Sequence, residues 1–149
     1  MIYQGKYRHE VREVILHCAA INTGQFLAWS PDAVLAEVDG WHKARGWSGI
    51  GYHGLIMPNG VFMRARPFDR IGAHTMDRNR GTLGFLLVES RKITHIGTFD
   101  DWFTADQNRV LRALLDDLRI SHGVRRVSGH NDYARRLCPG FRVSEWLNA

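Results

Sequence analysis

His130 and Cys138 lie eight positions apart in a polar segment near the end of the chain, and both are residue types that bind zinc. His17 lies far upstream, and folding could bring its imidazole to the same place. Three such ligands would leave one coordination position open, which is typical of a catalytic zinc and not of a structural one. Taken singly, each histidine is better explained as a hydrogen-bonded structural residue, so the elements that carry them decide the interpretation.

Two of the three candidate ligands follow predicted strands. Residues 11–18 alternate and then become apolar, which predicts an interior strand ending at His17. Neighbouring side chains on a strand face opposite ways, so we expect Cys18 to pack in the core and not to act as a fourth ligand. A short strand over 124–128 should deliver His130 at its carboxyl end, the edge where open α/β sheets usually carry their sites.

Local signals predict further elements around these strands. They include a proline at a first helical position, a capping box, an asparagine-glycine turn and apolar residues at helical spacing. The predicted elements are a helix from Ser30 to about Arg45, a hairpin over 52–57 and 61–65, a long loop over 66–80, a fully buried strand over 83–88, a helix from Thr104 to Gly123 and a terminal helix over 143–147. Strands alternating with helices predict an α/β fold with a central mixed sheet flanked by helices, in one domain over 1–149.

Composition restricts the classes of partner. The chain has 20 Lys and Arg against 15 Asp and Glu, a formal charge of +5 that favours an acidic partner. Nucleic acid, anionic lipid and a carboxylate-rich cell-wall polymer all fit, but the arginines are scattered and no basic run supports a nucleic-acid-binding protein. Neither a secretory leader nor a membrane span is predicted, so we expect a protein made and kept in a cytoplasm. Two cysteines there favour a metal site or a buried thiol over a disulfide.

Several short stretches, in one order and covering about residues 11 to 147, match a known pattern. They are residues 15–20, residues 41–43 with 46–47 and 51–53, residues 72–74 with 83–84, and residues 129–130 with 138–141. In these stretches the sequence resembles the zinc-dependent N-acetylmuramoyl-L-alanine amidases, specifically the small phage lysozymes of amidase type. Their fold is shared with the peptidoglycan recognition proteins, and the resemblance implies the same fold here.

The resemblance also implies roles for individual residues. His17, His130 and Cys138 would bind Zn²⁺, and Tyr52 would lie beside the metal as a catalytic residue. The family usually has a lysine two positions before the cysteine ligand, where this chain has Arg136. Arginine keeps the positive charge that stabilises an oxyanion, but it does not release a proton at working pH. Arg136 is therefore predicted to act electrostatically.

Other polar residues are candidates for binding the substrate. For His53 and His74 three roles remain open: lining the substrate groove, hydrogen bonding to a zinc ligand, or a purely structural one. Arg64, Arg66 and Arg78 could bind the free carboxylates of peptidoglycan stem peptides through paired hydrogen bonds.

The predicted function is hydrolysis of the amide bond between N-acetylmuramic acid and L-alanine by a zinc-activated water. The resemblance implies a phage or prophage endolysin, a monomer made in the host cytoplasm that acts on peptidoglycan in the periplasm after another protein has permeabilised the membrane. No nucleic acid partner and no membrane insertion are expected. Two alternatives remain: a non-catalytic peptidoglycan-binding module, which typically lacks the cysteine ligand that this chain keeps, and a cytoplasmic amidase that recycles soluble muropeptides.

Overall fold

The computed structural model describes residues 1–20 and 28–149. In chain order the elements are β1 (Tyr3–Gln4), β2 (His9–Glu10), β3 (Glu13–Cys18), α1 (Pro31–Ala44), β4 (Gly54–Ile56), β5 (Phe62–Arg64), β6 (Thr82–Leu87), α2 (Phe99–Trp102), α3 (Ala105–His122), a 3₁₀ turn (His130–Asp132) that directly follows β7 (Arg126–Gly129), and α4 (Val143–Leu147). Within these two ranges, no helix is both long enough and apolar enough to cross a bilayer.

A five-stranded mixed sheet in the order β5-β4-β6-β3-β7 forms the centre. The strands β4, β6, β3 and β7 run parallel, and β5 pairs antiparallel to β4 through the predicted hairpin. All six residues of β3 and of β6 are buried, as expected for interior parallel strands. This mixed sheet flanked by helices confirms the predicted fold class.

Apolar clusters lie on both sides of the sheet. The larger one joins sheet residues such as Leu16 and Phe85 to α2, α3 and α4, and it contains the buried Cys18. The smaller one joins the sheet to Val34 and Val38 of α1. The prediction that Cys18 packs in the core is thus confirmed, and the helices that cover the sheet leave its edges for polar residues.

The helix boundaries follow their capping signals. The Ser30 hydroxyl accepts a hydrogen bond from the Ala33 N–H at the start of α1, and Gly123 ends α3 with a left-handed φ of 71°. The predicted helices over 30–45, 104–123 and 143–147 are all confirmed. The strand predicted over 124–128 is β7, displaced to Arg126–Gly129 because Val124 still donates to Leu118 of α3.

Sequence patterns missed the ribbon of β1 and β2, α2 and the 3₁₀ turn. These elements have two to four residues, too few to show a period. The ribbon is tied to β6 by Gln4, whose fully buried side chain donates to the Thr82 carbonyl at 2.8 Å and accepts from the Gly81 N–H at 2.9 Å. The first residues of the chain therefore brace the start of β6.

Gln107 connects α3 to the carboxyl ends of two strands. Its buried amide nitrogen donates to the Ile56 carbonyl at 3.0 Å and to the Val88 carbonyl at 2.8 Å. Its amide oxygen accepts from the Thr104 N–H at 2.9 Å as part of the capping box. One side chain thus caps the helix and fixes it against the sheet edge.

We expect Gln107→Met to destabilise the fold by about 2–4 kcal/mol, because it leaves two buried carbonyls without donors. Urea denaturation should show a lower midpoint at an unchanged m value. Arg109→Met is the matched control on the same helix, since Arg109 makes only an exposed ion pair with Asp106 and should change stability by less than about 0.5 kcal/mol. Similar losses in both variants would contradict the role given to Gln107.

Candidate metal centre

Three residues that the sequence predicts as ligands lie together at one edge of the sheet. The candidate ligand atoms of His17, His130 and Cys138 are all within 4.8 Å of one another. Leu16 pairs with Gly129 in the parallel register of β3 and β7, so the residues that follow them emerge side by side. The strand register therefore brings two histidines together across more than a hundred positions of sequence.

Cys138 reaches this edge because the segment after β7 folds back on itself. The Asn131 N–H donates to the Cys138 carbonyl at 2.8 Å, and the Asn131 side chain donates to the Phe141 carbonyl at 3.1 Å. The Cys138 sulfur then lies 3.9 Å from Nδ1 of His17 and 3.1 Å from the backbone nitrogen of Cys18. Both the Cys138 carbonyl and the Cys138 sulfur are therefore held by backbone N–H groups.

A chain of hydrogen bonds fixes which nitrogen of His17 faces the cluster. The Thr82 hydroxyl donates to the Arg78 carbonyl at 2.7 Å, so it accepts from Nε2 of His74 at 3.2 Å. Nδ1 of His74 is then the acceptor for the Nε2–H of His17, at 3.0 Å. His17 therefore keeps a lone pair on Nδ1, the atom directed at Cys138. Of the three roles open for His74, this geometry fits hydrogen bonding to a candidate ligand.

The protonation states of the cluster suit a metal. Burial lowers the pKa of His17, and it holds the pKa of His74 well below its usual value, so both imidazoles stay neutral. The pKa of the Cys138 thiol lies well below its usual value because the Cys18 thiol and the His130 side chain donate hydrogen bonds that stabilise the thiolate. Neutral imidazoles and a thiolate are the forms in which these residues bind metal.

The donor set and spacing fit Zn²⁺. Two imidazoles and one thiolate match the borderline-soft character of zinc and leave a fourth tetrahedral position open. The 3.9 Å between the Cys138 sulfur and Nδ1 of His17 is close to the roughly 3.6 Å that tetrahedral coordination imposes on such a pair. His17, His130 and Cys138 are therefore the residues that could hold the ion.

Tyr52 lies against this cluster. Its ring centroid is 5.1 Å from that of His17 and 5.2 Å from that of His42. Burial raises the pKa of Tyr52, so the phenol keeps its proton at neutral pH and can act as a donor. His42 is buried behind it, accepts from the Gly51 N–H at 2.7 Å, and has its pKa lowered to about 4 by burial and by the charges of nearby arginines.

Arg136 is exposed beside the cluster. Its charge contributes to lowering the pKa of His17, which shows that its field reaches the candidate ligands. A permanent positive charge at this position can stabilise negative charge that develops nearby.

His53 fits the structural role among the three left open by its sequence. It is fully buried, its Nε2 donates to the Arg70 carbonyl at 2.8 Å, and its Nδ1 accepts from the Gly84 N–H at 3.1 Å. Both ring nitrogens therefore hydrogen-bond to backbone groups, and these bonds connect the 66–80 loop to β6.

The three arginines proposed for substrate binding are separated in the fold. Arg66 donates from its guanidinium to the Ile50 and Ile71 carbonyls at 2.9 and 2.8 Å, which holds loops together. Arg64 is exposed over the ring of Phe68. Arg78 lines a cavity of about 620 Å³ with residues at the start of β3 and β6, the edge opposite the cluster. The structure does not bring these three arginines together.

Sequence reasoning missed three polar residues around the cluster: Thr75, Thr82 and Glu89. The Thr75 hydroxyl lies 3.0 Å from Nδ1 of His74, and the Thr82 hydroxyl accepts from its other nitrogen. Hydroxyls near a histidine give no distinctive sequence signal. Glu89 did have a sequence signal, since this acidic residue directly follows the apolar run over 83–88, which ends at the same sheet edge as His17.

Comparison with known proteins places the chain among cell-wall enzymes and their structural relatives. The family model described as N-acetylmuramoyl-L-alanine amidase matches residues 7–141. The endolysin of Escherichia phage T7 is 30% identical over 143 residues, covering 96% of this chain and 89% of the relative. The endolysin of Klebsiella phage KP32 is 30% identical over 139 residues, covering 93% and 87%.

Two solved structures illustrate the similarity in three dimensions. The N-acetylmuramoyl-L-alanine amidase LysC from Clostridium intestinale URNW is 26% identical, with a TM-score of 0.73 over 100% of this chain and 94% of that chain. Drosophila PGRP-LB is 19% identical, with a TM-score of 0.75 over 100% and 87%, and this likeness concerns the fold alone.

We expect His74→Leu to weaken zinc binding by about 10–100-fold, because His17 would lose the acceptor that orients its ring. The zinc dissociation constant can be measured at neutral pH by competition with a chelating dye. His53→Leu is the matched control, since His53 is also a buried histidine but its ring nitrogens bond to the Arg70 carbonyl and the Gly84 N–H and not to a candidate ligand. Equal weakening in both variants would show that His74 has no specific role at the metal centre.

Proposed function

The chain belongs to the N-acetylmuramoyl-L-alanine amidase family, and we propose that it hydrolyses the amide bond between N-acetylmuramic acid and the L-alanine of the stem peptide in a zinc-dependent reaction. The observation that carries the proposal is the convergence of His17, His130 and Cys138 within 4.8 Å, and the lowered pKa values of His17 and of the Cys138 thiol support it. A module that only binds peptidoglycan would not need this arrangement.

The proposed biological role is that of a phage or prophage endolysin. Relatives at about 30% identity are endolysins, and this chain covers 87–89% of the length of those from phages KP32 and T7. In this role the protein is synthesised in the host cytoplasm and acts on the wall once the membrane is permeabilised. Its net charge of +5 suits a polymer rich in carboxylates.

The metal residues define where the reaction takes place. When bound, Zn²⁺ supplies Lewis acidity, which activates a water molecule at neutral pH and polarises the scissile carbonyl. His17, His130 and Cys138 would hold the ion at the sheet edge and leave one position open. His74 accepts the Nε2–H of His17 and so keeps its Nδ1 lone pair directed at the site.

Tyr52 and Arg136 supply the stabilisation of negative charge. Attack on the amide places that charge on the former carbonyl oxygen, and preorganised donors beside it lower the barrier. The Tyr52 phenol keeps its proton and can donate to this oxygen. Arg136 adds a fixed positive charge but releases no proton near neutral pH, so it acts through charge alone.

Purified sacculi provide the direct test of the reaction. We expect the zinc-loaded protein to release stem peptides that begin at L-alanine, without new reducing sugar ends, as analysed by mass spectrometry. A chelator should abolish release and added zinc should restore it, whereas Cys138→Ser should remain weak at the same zinc concentration. New reducing ends would identify a glycosidase, and binding without products would identify a non-catalytic module.

The same preparation separates the endolysin from a recycling enzyme. An endolysin should release peptide from polymeric sacculi at a rate at least comparable to its rate on soluble muropeptides. A strong preference for soluble muropeptides would instead support recycling, while leaving the amidase chemistry in place.

We expect Tyr52→Phe to lower kcat by about 10²–10³-fold with unchanged zinc affinity, because it removes one donor to the developing oxyanion. Tyr133→Phe is the matched control. The Tyr133 hydroxyl donates to Glu13 at the opposite edge of the sheet, so its loss should affect stability and not kcat. Full turnover by zinc-loaded Tyr52→Phe would remove Tyr52 from the mechanism.

A further inference from the structure

Three consecutive backbone N–H groups at the end of β3 point at two acceptors. The Cys18 N–H donates to the Cys138 sulfur at 3.1 Å. The Ala19 and Ala20 N–H groups donate to the two carboxylate oxygens of Glu89, each at 2.9 Å. Successive N–H groups that converge on anions are a recognised way for the backbone to bind negative charge. Here one short segment donates hydrogen bonds to both a thiolate and a carboxylate.

Glu89 is an unusual residue for its position. It lies two residues after β6, in which every residue is buried, and only 1% of its surface is exposed. A buried carboxylate is costly unless hydrogen bonds compensate for its lost hydration. Cys18 pairs with Leu87 in the parallel register, so Glu89 lies beside the continuation of β3, where both of its oxygens are used.

The backbone conformation that Glu89 holds is unfavourable for the residue that adopts it. Ala20 has a left-handed φ of 58°, a conformation that side chains with a Cβ disfavour. Its N–H is one of the two that Glu89 accepts. Without the carboxylate, two N–H groups would lose their acceptors and nothing in these contacts would keep Ala20 in this conformation.

The metal centre is joined directly to this segment. The Cys18 N–H belongs to the peptide that links Cys18 to His17, so a single rigid peptide carries one candidate ligand and hydrogen-bonds another. An N–H donor to a thiolate fixes the sulfur and stabilises its charged form. Any rotation at Ala19 and Ala20 would therefore reach both His17 and Cys138.

We propose that Glu89 is a positioning residue for the metal centre: by clamping the Ala19 and Ala20 N–H groups, it keeps the Cys18 N–H directed at the Cys138 thiolate. The inference rests on the proposed function only in that Cys138 binds zinc. In this role Glu89 acts on the candidate ligands through the backbone that it hydrogen-bonds.

The test compares two buried carboxylates at opposite ends of the sheet: Glu13 begins β3, and Glu89 follows β6. Glu89→Gln is the test variant, and Glu13→Gln is its control, because Glu13 accepts from the Ser128 and Tyr133 hydroxyls at 2.6 and 2.5 Å without reaching the metal residues. The readouts are the zinc dissociation constant by chelator competition and the thiolate-to-cobalt charge-transfer band of the Co²⁺-substituted proteins.

We expect Glu89→Gln to weaken zinc binding about tenfold or more and to shift the cobalt band, since the thiolate loses its fixed donor. Glu13→Gln should stay within about twofold of the wild type with an unchanged band. Wild-type zinc affinity and an unaltered band in Glu89→Gln would overturn the inference, as would equal weakening in both variants. Failure of the wild-type protein to bind zinc would instead contradict the proposed function.

A second variant keeps the comparison available if Glu89→Gln does not fold. Ala20→Gly combined with Glu89→Gln removes the strain of a Cβ in the left-handed conformation, which offsets lost stability and allows folding while the two N–H groups remain unclamped. This double variant still lacks the clamp, and we expect its cobalt band to differ from that of Ala20→Gly alone. Identical bands in these two proteins would overturn the inference.

Discussion

The parallel pairing of β3 with β6 on one side and β7 on the other is the constraint on which the rest of the molecule depends. Leu16 pairs with Gly129 and Cys18 pairs with Leu87, so the carboxyl ends of the three strands lie at one edge. A shift of one residue in either pairing would direct the side chain of a candidate ligand into the core and an apolar side chain away from the core. The apolar clusters on both faces make such a shift costly, so the core determines the geometry of the candidate metal centre.

Buried polar groups that lead from the start of β6 to His17 are arranged so that each orients the next. Thr82 can accept from His74 only because its own proton goes to a backbone carbonyl, and His74 can accept from His17 only because its other nitrogen is satisfied. Gly84 adds a steric condition, since a Cβ there would overlap the His74 ring. Such networks are stable when every member is satisfied, which is why the desolvation of these histidines is tolerated.

The sequence predicted what depends on local pattern and on strand ends. The capping box at Thr104, the hairpin, the buried strand and the mixed sheet are all present, and His17, His130 and Cys138 lie together as the resemblance implied. The relay through Thr82 and the clamp by Glu89 were missed because they depend on which rotamer and which neighbouring strand a side chain meets. The ribbon of β1 and β2 was missed because two-residue strands carry no period.

Through that ribbon, the first residues of the chain affect how a histidine near the candidate metal centre is oriented. The Gln4 side chain hydrogen-bonds to the backbone of Gly81 and Thr82, and the hydroxyl of the same Thr82 orients His74. Gln4 and Thr82 thus connect the start of the chain to His74, which accepts a hydrogen bond from the candidate ligand His17. Tags, truncations or sequence variation within the first ten residues would therefore alter the outer support of the candidate metal centre.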